Sequence, residues 1–544
     1  MGKAEQMSLE VDYIVVGAGS AGCVMARRLA EHHSVLLLEA GSKAWGWDFR
    51  LHMPAALSEV LATDRYNWFY HSEPEPHLNQ RRLYCPRGKV LGGSSAINGM
   101  IFVRGHRQDY QRWSEQTGLA GWSYQDCLPF FKKSESTGGQ DLDYRGDSGP
   151  LKISRGSISN PLYKAWLTAG QEMGQDRTDD FNGVHQEGFG LFDRTIFKGK
   201  RQSTAVAYLS NAKINGRHHQ NQAGVTIMTR AMVQEILFEQ DQAVGVKIKR
   251  GGDLVQARAR KEVLLCGGAI NSPQLLMLSG VGQADELRRQ SIDCRVELPG
   301  VGKNLQDHLE VYVQYSLKKP VSLYPVTRWY RKPWVGLQWY LNQSGPAASN
   351  HFHTGAFLRS GLDQGYPDLQ FHFLPIAMDY DGKNQFQGHG LQVHVGPMKP
   401  TSRGSVSLRS DNPHDSPSIQ FNYHATEQDR SVMFRGIKLA RDIMAQPAFE
   451  PYVDREIRPG PGQDDLDTFV RQFAESAYHP SGTCRMGDDA MAVVDPSGRV
   501  RGVNGLRIVD ASIMPEITNG NLNAVVIMMA EKISYEILKS EISG

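Results

Sequence analysis

The pattern of apolar and polar positions is clearest at the start of the chain. Val11–Val16 is a short β-rich apolar run, Ser20–Glu31 carries small residues along one side at helical spacing, and Ser34–Leu38 is a second apolar run. Strand, helix and strand in so short a span predict a βαβ unit, which requires a parallel sheet. Further strands are predicted at Val225–Met228, Glu235–Phe238, Val244–Lys249, Val263–Cys266 and Leu506–Val509. From roughly 306 to 475 the texture changes. Alternation in Leu369-Gln370-Phe371-His372-Phe373 and in Leu391–Val395 predicts strands of a mixed or antiparallel sheet, wet on one face. A last helix is expected over Ala524–Leu538.

The fold class that follows is α/β, with two interleaved domains. One is assembled from residues 1–155, 200–305 and 475–544, the other from 156–199 and 306–474. No repeat period appears, which sets aside solenoids and propellers. At 544 residues the chain is long enough for a substantial core without staples. Lys and Arg number 60 against 58 Asp and Glu, a formal charge of +2 that gives no footprint for nucleic acid. The 55 glycines point to tight turns and close backbone approaches. Six cysteines are scattered without a C-x-x-C, so no metal site is expected, and their low density fits a reducing, cytoplasmic setting. The polar lead Met1–Glu10 shows no signal peptide, and no apolar stretch is long enough to span a membrane; peripheral contact with one stays open.

Gly17-Ala18-Gly19-Ser20-Ala21-Gly22 reads G-x-G-x-x-G between a strand and a helix. Gly17 suits the tight turn, Gly19 lets backbone approach a pyrophosphate, and Gly22 allows close helix–strand packing. The helix N-terminus offers free N–H groups to phosphate. Glu39, ending the second strand, is placed for a ribose hydroxyl. A glycine-rich turn of an ordinary α/β domain shares the six-residue pattern, but not the strand, helix and acid together. A dinucleotide is expected, and nucleotide-like segments reaching the last helix lean to FAD over a nicotinamide. No serine stands in G-x-S-x-G, so the nucleophile elbow of the α/β-hydrolases is missing.

Gly88 to Asn98, with the pattern G-K-x-L-G-G-S-S-x-x-N, resembles the first signature of the glucose–methanol–choline (GMC) oxidoreductases. Gly268-Ala269-Ile270-Asn271-Ser272-Pro273 and its continuation to Gly282 resemble the second, and Val509–Pro515 with Gly520-Asn521-Leu522-Asn523-Ala524 the closing segment. Met53–Leu57, Arg65–Trp68, Ser72–Pro76 and Ser349–Phe352 are similar to the choline dehydrogenase-like branch. The resemblance implies a Rossmann-like FAD-binding domain with a parallel sheet, and a discontinuous substrate domain with a mixed or antiparallel sheet flanked by helices. It implies FAD contacts at Gly17, Gly19, Ser20, Gly22, Glu39, Gly92, Ser94, Asn98, Met100, Val233, Asp510 and Ala511. Ile97 stands where some relatives tether the flavin through histidine, so noncovalent FAD is expected.

Taking hydride from a carbinol carbon requires a base for the hydroxyl proton and a donor for the developing alkoxide. The resemblance assigns the base to His479 and its partner to Asn523, with hydride passing to flavin N5. Asn523 has a second expected role as N-cap of the last helix. The implied substrate is a small polar primary alcohol, and the acceptor for its electrons stays open between oxygen, a quinone and a soluble carrier. Trp68, Tyr478 and Asn350 are expected at the substrate. In choline-oxidising relatives a glutamate opens an E-x-G-x-F run; here the run is His353-Thr354-Gly355-Ala356-Phe357. Losing a carboxylate at about 4 Å from a cation, at an effective dielectric near 20, forfeits about 4 kcal/mol. His353 therefore points to a hydroxy acid, 3-hydroxypropionate oxidised to malonate semialdehyde. The alternative is choline, with the carboxylate supplied from elsewhere, for instance Glu310. More remote readings are a nicotinamide dehydrogenase and a non-catalytic flavin-binding protein.

Overall fold

The structure, a computed structural model, describes residues 9–116, 119–139, 141–210, 212–214, 222–362, 365–379 and 385–543. Most of the polar lead Met1–Glu10 lies outside them. Leu9–Val16, Ser20–Leu29 and Ser34–Glu39 form the expected βαβ unit, with the two strands paired in parallel. Gly224–Thr229 extends the sheet beyond Ser34–Glu39, and Asp253–Leu265 pairs on the other side of Leu9–Val16, both in parallel. Leu506–Ile508 adds a further parallel strand, while Met232–Glu239 and Gln242–Arg250 append an antiparallel hairpin. The nucleotide-type sheet thus draws on three distant stretches of chain. The last helix runs Asn523–Ser543 and packs on Ser20–Leu29, with Val525, Ile527, Met528 and Met529 fully buried.

The second sheet has the path Val453–Arg458, Leu309–Leu317, Gly390–Pro397, Leu369–Leu374, Thr354–Leu358, Gly188–Leu191, antiparallel throughout. Glu475–Ser476, within the stretch expected to belong to the FAD domain, pairs instead with Leu309–Glu310 of this sheet. One expectation fails here: Leu369–Leu374 and Gly390–Pro397 are buried on both faces. Val311, Val313, Phe371, Phe373, Val393 and Val395 lie in an apolar core under the helix Glu427–Met444. The alternate positions, Glu310, Gln314, Gln370, His372, Gln392 and His394, are also buried. Buried polar side chains need partners, and here Gln314 pairs with Gln392, Gln392 with His394, and Gln370 with Asn521, beside a cavity.

Candidate active site

A cavity of about 1180 Å³ extends from the C-terminal ends of Leu9–Val16 and Ser34–Glu39 to the polar face of the second sheet. The glycines at its first end divide by role. Gly17 sits at φ 100°, and a Cβ there would stand 2.6 Å from the Cys266 carbonyl oxygen; one on Gly22 would stand 1.9 Å from the Gly17 oxygen. Those two are glycine so that turn, helix and strand can close. A Cβ on Gly19 would meet nothing nearer than 3.9 Å, so its bare backbone borders open cavity. Glu39 is buried and accepts from Ala18 N at 3.1 Å and Gly41 N at 2.8 Å, and burial pushes its carboxyl up to about 7. Gly92 N donates to the Ala18 oxygen at 2.8 Å, tying the second glycine loop onto the first.

Ser94 Oγ accepts from Gly88 N, and Asn98 Oδ1 accepts from Met100 N and from Arg201 Nη1 at 2.8 Å. Asp510 accepts from Gly268 N at 2.8 Å and Ser272 Oγ at 2.6 Å, at the start of the helix Gly268–Leu278. Of the expected FAD contacts all but Gly22 and Gly92 line the cavity, and those two support it from behind. Open backbone at Gly19, a helix start at Ser20 and a buried acid at the strand end fit a dinucleotide.

At the other end His479 is fixed from several sides. Its backbone N donates to Asp307 Oδ1 at 2.6 Å, and its Nδ1 lies 3.0 Å from His308 Nδ1. Its Nε2 lies 3.2 Å from Asn521 Nδ2, and Asn521 Oδ1 in turn accepts from Gln370 Nε2 at 3.3 Å. That last bond orients the amide, so Asn521 presents N–H to Nε2 and His479 carries its proton on Nδ1. Burial first, then His308, Arg87 and His372, hold the imidazole well below its ordinary pKa. It is a neutral ring whose Nε2 lone pair accepts from Asn521, and both residues line the cavity.

The expected partner, Asn523, needs correcting. It is the first helical residue, not the cap, and its Oδ1 accepts from Ser20 Oγ at 2.6 Å on the nucleotide side. Asn521 is the asparagine that meets His479. His353 also departs from expectation: it does not line the cavity. Ser157 N donates to its Nδ1 at 2.8 Å, Ser349 Oγ lies 2.8 Å from its Nε2, and Arg194 packs against the ring. Burial and then Arg194 lower its pKa to about 3, so it is no imidazolium.

Asn350, Trp68 and Tyr478 do line the cavity. Asn350 donates to the Gly99 oxygen, and its Oδ1 is buried without a protein partner. The Trp68 ring already has Lys89 Nζ 4.3 Å from its centroid and Tyr70 stacked at 5.8 Å, so it is committed to its own chain. Tyr478 is at φ 67°, and its carbonyl accepts from Arg87 Nη2.

The carboxylate offered as the alternative, Glu310, and its neighbours His372, Gln392 and His394, which the sequence did not mark as site residues, come from the alternating strands. Glu310 lies with Oε1 3.4 Å from His394 Nδ1 and Oε2 3.9 Å from His372 Nδ1. His372 and His394 are opposite one another in register, and Tyr312 is opposite His394 on the next strand. The Phe352 ring stands edge-on to both histidines at 5.8 Å. Polar residues at every second position were the signal, read as a solvent face rather than a site. At the cavity mouth Trp329, Lys332, Leu337 and Tyr340 form an exposed rim, with Trp329 79 % exposed.

Comparison with known proteins places this arrangement. Patterns described as GMC oxidoreductase match residues 11–310 and 400–530. An oxygen-dependent choline dehydrogenase of Chromohalobacter salexigens is 52 % identical over 535 residues, covering 97 % of this chain and 95 % of the relative. The protein of the same name from Pseudomonas fluorescens is 52 % identical over 540 residues, covering 98 % and 94 %. Among solved structures, pyridoxine 4-oxidase from Mesorbium loti is similar with a TM-score of 0.86 at 29 % identity, over 97 % of this chain and 99 % of that one. A formate oxidase variant of Aspergillus oryzae, studied for FAD modification, gives a TM-score of 0.90 at 26 % identity, over 98 % and 99 %. The chain belongs to the GMC oxidoreductase family, as an FAD-dependent oxidoreductase acting on CH–OH donors.

Proposed function

We propose that the protein oxidises choline to betaine aldehyde, with Glu310 facing the quaternary ammonium and His479 taking the hydroxyl proton. The observation that carries this is the Glu310 carboxylate, buried in the cavity that also holds His479. A buried carboxylate in a cavity also lined by Tyr312 and Phe352 is chemistry suited to an onium group. It is hostile to a second carboxylate, which counts against 3-hydroxypropionate. That reading rested on His353 meeting the substrate, and His353 is a neutral ring outside the cavity. The choline dehydrogenase name of the similar proteins points the same way.

FAD, when bound, supplies the two-electron acceptor for the carbinol hydride. The chain does the rest. Gly19, Ser20 and Glu39 would hold its nucleotide, and Ile97, at the tether position, offers no side-chain nitrogen for a covalent link. Asn521 and His308 set the tautomer of His479. The substrate hydroxyl takes the place of the Asn521 N–H at Nε2, which then accepts the hydroxyl proton as the alkoxide forms, and the displaced N–H turns to the substrate oxygen. Asn521 Nδ2 is the donor available to that developing charge. Oxygen is the acceptor named for the relatives, and the test is direct. Purified holoenzyme supplied with choline in air should form betaine aldehyde while consuming oxygen. Formation of malonate semialdehyde from 3-hydroxypropionate, with choline untouched, would reverse the assignment.

Among the described residues no helix is long and apolar enough to cross a membrane. Peripheral contact is supported by the rim: Trp329, Trp334, Tyr340 and Leu341 are all more than half exposed, beside exposed Arg331 and Lys332. Aromatic and basic residues together suit an anionic lipid surface. The protein should co-sediment with vesicles containing phosphatidylglycerol, and Trp329→Ser with Trp334→Ser should release most of it. Equal recovery in the supernatant with and without vesicles would remove the membrane from the account.

A further inference from the structure

Glu310 stands at the end of a hydrogen-bond chain whose direction can be read. Gln314 Nε2 donates to Gln392 Oε1 at 3.1 Å, and Met378 N donates to the same oxygen at 2.9 Å. With its carbonyl oxygen engaged twice, Gln392 turns its NH₂ to His394 Nε2, 2.7 Å away. An amide N–H only donates, so Nε2 is the acceptor and the ring proton sits on Nδ1. That N–H faces Glu310 Oε1 at 3.4 Å. Tyr312 stacks on the His394 ring with centroids 3.6 Å apart and fixes its plane.

We propose that Gln392 is a positioning residue: acting through the tautomer of His394, it holds the Glu310 carboxylate in the orientation that selects a cationic alcohol. The proposal rests on the reading of the cavity as a site for such an alcohol. It also accounts for a second feature of the cluster. Ligand-type atoms of Glu310, His372 and His394 all lie within 4.8 Å of one another, close enough to suggest a divalent metal. A metal needs a deprotonated imidazole nitrogen, and on His394 the nitrogen facing Glu310 carries the proton. Gln392 thereby keeps the cluster for an organic cation.

The experiment compares choline with 3,3-dimethylbutan-1-ol, its neutral carbon isostere, in purified holoenzymes. The readout is the ratio of kcat/KM for the two alcohols. Gln392→Met and His394→Phe should each lower the ratio about tenfold, through KM for choline, since a hydrogen bond to a charged group is lost. The double variant should be no worse than His394→Phe alone, because the two residues act in series. His394→Asn, whose side-chain amide can still donate toward Glu310, should recover part of the ratio. Equal losses on both alcohols, a wild-type ratio in Gln392→Met, or no difference between His394→Asn and His394→Phe would overturn the relay. A wild-type enzyme indifferent between the two alcohols would overturn the cation reading, and the relay with it.

Discussion

His479→Ala is expected to lower kcat/KM for choline by about 10²- to 10⁴-fold, the range for loss of a positioned general base. The effect should be this large because the surroundings prepare the ring for one role. Asp307 fixes its backbone, His308 and Asn521 fix its tautomer, and burial keeps it neutral. Bound flavin should remain, since the nucleotide-side residues Gly19, Ser20 and Glu39 are left unchanged. The pH profile of the wild type carries the same information. Protonation removes the base, so activity is lost as pH falls; with the pKa held well below its ordinary 6.5, the acid limb should lie below that value. Loss of flavin together with activity in His479→Ala would instead indicate a structural role.

Glu310→Gln carries the second large effect, and its signature is selectivity. The substitution preserves shape and removes charge. At about 4 Å and an effective dielectric near 20 the attraction is about 4 kcal/mol, and after solvent compensation a loss of about a hundredfold in kcat/KM for choline is expected. The neutral isostere carries no charge for Glu310 to attract, so it should lose far less, no more than about threefold. Parallel losses on both alcohols would mean that Glu310 supports the pocket rather than the cation.

The nucleotide half of the molecule was legible in the sequence because its constraints are local. The turn at Gly17 needs φ 100°, and the close approach at Gly22 leaves no room for a Cβ. The strands Leu9–Val16 and Ser34–Glu39 and the helix between them follow from period and glycine spacing alone. The substrate half was less legible, because its geometry is set by partners far along the chain. Asn521 and Asn523 are near neighbours in one motif. Only the entry of the chain into the last helix decides that the first reaches His479 and the second turns to Ser20.

His353 fills a motif position, yet the backbone just before Thr354–Leu358 turns its ring to Ser157 and Arg194. The alternation of Gln370, His372, Gln392 and His394 identified strands correctly but not what faced them. A polar stripe looks alike in sequence whether it meets solvent or an internal cavity.

Choline oxidation is proposed from a buried carboxylate that shares its cavity with His479. The measurement that tests it most directly is anaerobic mixing of the purified yellow holoenzyme with choline, following the flavin absorbance. The account predicts complete loss of the oxidised flavin spectrum with choline and a far slower change with 3-hydroxypropionate. Bleaching by 3-hydroxypropionate while choline leaves the spectrum unchanged would contradict it.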